Sequence, residues 1–272
     1  MNSFLSSILR KILDKSRRFL IFAYANQKHQ SMKIAEKIGR KINRMQEGTT
    51  FKYQQLGIDQ SEYSAAAKAI ERFVKKGIVK RVSTGVFYKP KQSAFGELRP
   101  SEEELLKPYL FQDGKRIAYI TGVSLYNRMG LTTQVPKTIK VASKVKRVTT
   151  KIGKTQVKPI KSYVDVTNEN YYLLEILDAL KDFKTIPDLD KKSAITLLKN
   201  KIGKLSEKDL LKMIRYALKY PPRATALLGA ILELSKNKSG LESLKKNLNP
   251  LTTYKLGIKE ETLPTAPKWN IN

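Results

Sequence analysis

The sequence predicts an α+β chain: a helical segment ending in a small hairpin comes first, a basic mixed α/β segment second, and a helical region last. Three observations carry that reading. Between residues 32 and 91 two amphipathic helical patterns are followed by a short hairpin; between 137 and 161 β-branched residues alternate with cations; from Tyr171 onward apolar residues recur at helical spacing.

The chain is 272 residues long, enough for two domains, and its 41% hydrophobic content argues against overall disorder. Charge is the strongest compositional signal. The chain carries 53 Lys and Arg against 24 Asp and Glu, a net charge of +29. About half of the excess, +14, lies in residues 1–100, with +8 in 101–165 and +7 in 166–272. Such an excess repels itself unless a polyanion is near, so nucleic acid is the first expected partner and an anionic membrane surface the second. A Lys-rich proteome is the bland alternative. There is no cysteine, which removes disulfides and thiolate metal sites, and the single histidine, His29, makes a Ser-His-Asp triad a poor reading. No apolar run approaches the ~20 residues of a membrane-spanning helix. "RRFLIFAYAN" is short and late for a signal peptide, so the expected location is cytoplasmic.

Residues 1–31 read as an amphipathic extension. Phe4, Leu5, Ile8, Leu9, Ile12 and Leu13 fall on one side of a helix, suited to packing on the chain itself or a twin, or to an anionic membrane. The helical pattern restarts at residue 32. From there Ile34, Ala35, Ile38, Ile42 and Met45 form one apolar stripe, ended by Gly48. "FKYQQLG" predicts a strand-like entry and a very short helix. "DQSEYSAAAKAIERFVKKG" predicts a longer helix capped by Asp or Ser, with Ala66, Ala67, Ile70, Phe73 and Val74 inward. Its other face carries Ser61, Ser64, Ala65, Lys68, Arg72 and Lys75. "GIVKRVSTGVFYKPK" then alternates apolar and basic residues about a Ser-Thr-Gly turn.

Helix, short helix, turn, helix and basic hairpin, in this order over residues 32–91, is the order of a winged helix-turn-helix. In that fold the second helix of the turn motif enters the DNA major groove, N-terminal residues nearest the bases. Ser61 and Ser64 allow close approach, and Lys68, Arg72 and Lys75 reach phosphates or guanine edges. The wing adds Lys80, Arg81, Ser83, Thr84 and Lys89 as backbone contacts, which set register without reading sequence. Winged helices also serve as protein-interaction modules, and the charge favours DNA.

Residues 92–165 change character. "PSEEELLKPYL" starts a helix with Ser101 and Glu104 at capping-box spacing, and Glu102, Glu103 and Glu104 complement the helix dipole better than they make a metal cluster. "RIAYI" reads as a strand and "TGVSLYNRMG" as a short helix. Residues 137–161 hold nine cations and no acid in two or three strands with one solvated basic face. That face is either a second nucleic-acid contact or an edge protected by lysines. Residues 166–272 read as four helices, "YYLLEILDALKDF", "DKKSAITLLKNKIG", "SEKDLLKMIRYALKY" and "PPRATALLGAILELS", the last opened by Pro221 and Pro222, then an irregular tail with a mobile end.

No catalytic motif emerges. "IGKT" at 152–155 lacks the first glycine of a phosphate loop, since that position is Val148. In "DLD", Asp190 suits a helix cap better than a metal. The expectation is a protein without catalytic residues, metal or cofactor.

Four stretches in order, "AIERFVKKGIVKRVSTGVFYKPK" with "FGELRPSEEE", "YITGVSLYNRMGLTTQVP", "YPPRATALLGAILE" and "LNPLTTYKLGI", resemble the AbiEi family of abortive-infection antitoxins. The resemblance runs from about Met32 to Ile258. It implies a winged-helix repressor of its own operon that binds double-stranded promoter DNA. It also implies a C-terminal domain that counters a nucleotidyltransferase-like toxin, in type IV fashion, without a stable complex. A homodimer on DNA is left open. The alternative reading is a mobile-element regulator of the same fold with no toxin partner.

Overall fold

In the computed structural model, residues 17, 22, 24–26, 29–237 and 240–272 are described; the helical pattern at residues 4–13 lies outside them. The chain is α+β and divides into two compact units, the first ending at Pro108 and the second running Tyr109–Asn272.

In the first unit, helix α1 covers residues 29–44 and buries Ile34, Ile38 and Ile42, one residue per turn. Strand β1 (Thr50–Lys52) follows, then two short 3-10 turns (Tyr53–Leu56 and Gln60–Glu62) separated by Gly57. Helix α2 is Tyr63–Lys75, and the hairpin is β2 (Lys80–Ser83) with β3 (Val86–Tyr88). All pairing is antiparallel, in the order β1-β3-β2. This is the winged helix-turn-helix, its short second helix reduced to 3-10 turns. The core under it is Ile34, Ile38, Ile42, Phe51, Leu56, Ala66, Ala69, Ile70, Val79 and Phe87. Ala67, expected inward, is exposed, and Ala69 is buried in its place. At about 100° per residue, position 69 lies about 60° from Ala66 and on the side of Phe73, whereas position 67 turns about 100° away.

Gly77 terminates α2. Its φ of 71° places it in the left-handed region, so that Gly77 N–H donates to Val74 O (3.0 Å) and Ile78 N–H to Phe73 O (3.0 Å). These two bonds are the Schellman pattern that closes a helix and reverses the chain into the next strand.

A second hairpin, β4 (Lys91–Ser93) with β5 (Gly96–Leu98), was not anticipated. It belongs with the winged unit because Glu97 accepts from Tyr88 Oη (3.0 Å) and pairs with Lys80 (2.6 Å). Helix α3 (Glu102–Leu110) is tied back in the same way. Ser101 Oγ accepts from Glu104 N–H (3.3 Å) as the capping box requires, but the Glu104 carboxylate does not close the box. It takes Thr50 N–H (3.0 Å) and Thr50 Oγ (3.1 Å) instead, stitching α3 to β1.

The second unit opens with a two-residue ladder, β6 (Phe111–Gln112) and β7 (Lys115–Arg116), then β8 (Ala118–Thr121) and the short helix α4 (Val123–Met129). Strands β9 (Thr138–Ser143), β10 (Thr150–Ile152) and β11 (Thr155–Lys161) join β8 in a sheet ordered β10-β11-β9-β8. β9 and β11 are parallel, the other pairs antiparallel. "IGKT" is the β10–β11 turn. The helices are α5 (Tyr171–Asp182), α6 (Lys191–Gly203), α7 (Glu207–Ala217), α8 (Pro222–Leu234) and α9 (Leu241–Lys246), the last not expected. Asp190 caps α6 by accepting from Ser193 N–H (3.0 Å), and Ser206 caps α7.

α8 is buried on every side from Ala224 to Leu232, as an all-apolar helix at a domain centre must be. The C-terminal tail, expected to be irregular and mobile at its end, packs into this core. Leu256, Ile258, Leu263, Ala266, Trp269 and Ile271 are all buried. Tyr254 N–H donates to Asn270 O (2.6 Å) and Asn272 N–H to Tyr254 O (3.0 Å). Gly229 explains the docking: its bare backbone lets the Trp269 ring lie against α8, while Trp269 Nε1 donates to Glu233 (2.7 Å). Without a regular apolar period, the tail's anchors read as isolated residues in the sequence.

Candidate nucleic-acid interface

An aromatic group sets the start of α2 against the wing. Phe87 of β3 meets Phe51 of β1 (centroids 5.9 Å) and Tyr53 (5.5 Å), and Tyr53 meets Tyr63, the first residue of α2 (6.0 Å). Rings at such separations attract beyond their buried area and resist sliding. Arg81 lies over the Phe87 ring, 5.6 Å from its centroid. Burial pushes the Tyr53 hydroxyl up from its ordinary range, with the Arg81 charge pulling the other way. Sequence periodicity marks Phe51 and Phe87 as apolar but gives no sign that Tyr53 and Tyr63 position the helix.

On α2, Ser64, Lys68, Arg72 and Lys75 all point to solvent, and Ser61 is exposed in the 3-10 turn that precedes it. Lys68 and Arg72 have no carboxylate partner among the described residues. Arg72 Nε donates to Lys68 O (3.4 Å), holding the guanidinium along the helix. Lys75 is paired at 3.6 Å with Glu71, both ends well exposed, so this pair holds little energy.

The wing cations divide. Arg81 and Thr84 are exposed and Ser83 half-buried at the irregular, bulged end of β2. Lys80 is occupied by Glu97, whose carboxyl is held below its usual range by the Lys80 ammonium, burial opposing and Tyr88 assisting. Lys89 is turned inward. Its ammonium donates to Asn43 O and Met45 O, both at 3.0 Å, so it closes the C-terminal end of α1, where a cation complements the helix dipole. Of the ten residues expected at the DNA, the open cationic set is therefore Lys68, Arg72 and Arg81. Ser61, Ser64 and Thr84 are exposed beside them. The second hairpin adds exposed Lys91, Gln92 and, at its tip, Phe95, which stands wholly in solvent.

A separate cluster of ionisable groups lies in the second unit. Asp178 of α5 is buried; its Oδ2 accepts from Tyr119 Oη (2.9 Å) and Thr121 Oγ (2.6 Å), and its Oδ1 from Lys181 Nζ (3.0 Å). Tyr126 Oη donates to Asp182 Oδ2 (2.6 Å). Burial drives the hydroxyls of Tyr119 and Tyr126 far up, with Asp178 and Asp182 adding to the effect. The cluster fastens "YITGVSLY" to α5. Both oxygens of Asp178 and Oδ2 of Asp182 are taken by internal donors, as in a network that holds elements together. Among the described residues no three His, Asp or Glu stand together as a metal site would, and no helix is long and apolar enough to cross a membrane.

No curated protein sequence matches the chain. Among solved structures, the crystal structure of the RV2827C protein from Mycobacterium tuberculosis is similar, with a TM-score of 0.49 and 11% identity over 88% of this chain and 90% of that one. Residues 37–205, from α1 of the winged unit to the end of α6, match the Family of unknown function (DUF6088). The chain belongs to that family.

Proposed function

We propose that this protein is a cytoplasmic antitoxin and autorepressor of a type IV toxin–antitoxin pair. Its winged unit binds double-stranded promoter DNA, and its second unit counters a nucleotidyltransferase-like toxin without forming a stable complex or performing catalysis. One observation supports the DNA half above the others: Lys68 and Arg72 form an exposed cationic row on α2, free of carboxylates among the described residues, beside a wing that offers Arg81. A helix so placed fits the major groove, with phosphates as the missing counter-charge. The antitoxin half is supported by the four sequence stretches that resemble the AbiEi antitoxins.

The DNA test uses the full chain, because the winged unit extends past Lys91 to the second hairpin and α3. Titration of labelled promoter DNA at several salt concentrations should give a log–log slope of about −3, at roughly −0.9 per phosphate met by Lys68, Arg72 and Arg81. Lys68→Glu with Arg72→Glu should abolish binding and leave folding intact, both side chains being exposed. In cells expressing the toxin from an unrelated promoter, the same double variant should still rescue growth while a promoter reporter is derepressed. Salt-independent binding would overturn the DNA reading, and loss of rescue by a folded double variant would overturn the division between the units.

A further inference from the structure

At the C-terminal ends of the parallel strands β9 and β11, the chain makes a recess of about 380 Å³. Lys144, Lys146, Arg147 and Lys161 surround it, over an apolar floor of Pro159 and Ile160, and no carboxylate lines it. Lys144 is answered by Asp165 at 2.9 Å, with both side chains substantially exposed. Lys146, Arg147 and Lys161 have no carboxylate partner among the described residues.

The arrangement is built by the backbone. Parallel pairing of β9 with β11 brings Ser143 opposite Lys161, so both strands end at the same level. Ser143 Oγ donates to Ile117 O (2.7 Å) and accepts Lys146 N–H (3.2 Å), which curls the chain after β9 so that residues 144–147 arch over the recess. Like charges gathered about one recess repel, and no carboxylate lining it relieves them. A bound anion would.

We propose that this recess is a binding site for a compact polyphosphate group, of the kind a nucleotide di- or triphosphate carries. Geometry separates this ligand from a nucleic-acid strand. A strand spreads its charges along a line, and the cations that track it are spread likewise. Here three unanswered cations converge on one concavity, matching several charges on adjacent phosphorus atoms. Arg147 supplies a planar fork suited to phosphate oxygens, and Lys146 and Lys161 supply point charges. The apolar floor suits the non-phosphate part of a phosphorylated small molecule. The site lies in the second unit and does not depend on the DNA reading.

Calorimetric titration of the full chain with inorganic tripolyphosphate at about 0.15 M salt, where distant charges are screened, tests the proposal, with adenosine triphosphate and a short single-stranded oligonucleotide as parallel arms. Saturable binding of one tripolyphosphate per chain is expected. Removing charge-assisted hydrogen bonds should weaken it about tenfold per cation, so Arg147→Gln with Lys161→Gln should lose about 100-fold. Lys151→Gln with Lys154→Gln removes the same charge from the exposed β10–β11 hairpin outside the recess and should leave the affinity within about twofold. Tighter binding of the nucleotide than of tripolyphosphate would place its non-phosphate part on the apolar floor. Absence of saturable binding, equal losses in the two double variants, or binding of the oligonucleotide without tripolyphosphate would each overturn the proposal. Unchanged thermal melts of both variants establish that they are folded.

Discussion

Replacing Asp178 with alanine tests the view that the tyrosine–carboxylate–lysine cluster is structural. The Asp178 side chain is 3% exposed and Lys181, its ion-pair partner at 3.0 Å, is 11% exposed. Alanine removes the shared acceptor of the Tyr119 and Thr121 hydroxyls and of the Lys181 ammonium. Breaking one side of a buried pair costs about 3–5 kcal/mol, and each buried donor left open about 1–3 kcal/mol. These losses overlap. Lys181 also keeps Asp182 at 3.6 Å, so the lower end applies and about 3 kcal/mol is expected. Trp269 is the only tryptophan and is buried in the same unit, so its fluorescence during urea unfolding reports that unit alone. The midpoint should fall with the slope unchanged. Adding Lys181→Met should recover part of the loss, because the orphaned buried charge leaves with it. A loss under about 1 kcal/mol in the single variant, with native Trp269 emission, would refute the reasoning and point to a solvated site.

Gly229→Ala should destabilise the second unit by about 1–3 kcal/mol, since the new methyl would overlap the Trp269 ring; a red-shifted Trp269 emission is the check. Stability should fall as pH rises past about 10, the ordinary tyrosine value. Tyr119, Tyr126 and Tyr220 are held neutral above that range, chiefly by burial, and their contribution is complete below the unfolded value and lost above it. Lys181 acts in the same direction: burial lowers it, but Asp178 and Asp182 outweigh burial and raise it. Alkaline unfolding followed by Trp269 fluorescence tests the sign. Lys89→Met should lower the stability of the winged unit by about 0.5–1 kcal/mol with little change in DNA affinity, whereas Arg81→Ala should weaken binding to all DNA sequences about equally. Thermal melts beside competition against scrambled DNA separate the two.

Most of the element order was legible in the sequence because each element carried its own period. The α1 and α2 stripes, the Ser-Thr-Gly hairpin, the Asp190 cap and the Pro-initiated α8 all follow from local chemistry. The β4–β5 hairpin was not legible. "KQSAFGEL" is polar and short, and it is held by Glu97 bonding to Lys80 and Tyr88, contacts that no local pattern encodes. The tail failed for the same reason. Its lack of a regular apolar period hid Trp269, and only the complementary gap at Gly229 on α8 makes the ring an anchor.

The cations show the same limit in a form that bears on function. Residues 75, 80, 81 and 89 were equivalent as sequence, each a basic side chain on a helix or hairpin beside the expected interface. In the folded chain Lys75 and Lys80 are paired with acids, Lys89 closes a helix end, and Arg81 alone remains open over Phe87. The stretch from 137 to 161 behaves conversely. Its nine cations looked uniform, yet parallel pairing of β9 and β11 gathers Lys146, Arg147 and Lys161 about one recess and leaves Lys151 and Lys154 on an exposed hairpin. Net charge sets only the sign of the partner to look for, because the field sums over all cations. Which cation meets that partner depends on hydrogen bonds formed across elements distant in sequence. Arg81 and Lys89 are the direct comparison, two wing cations of opposite fate separated by one hairpin.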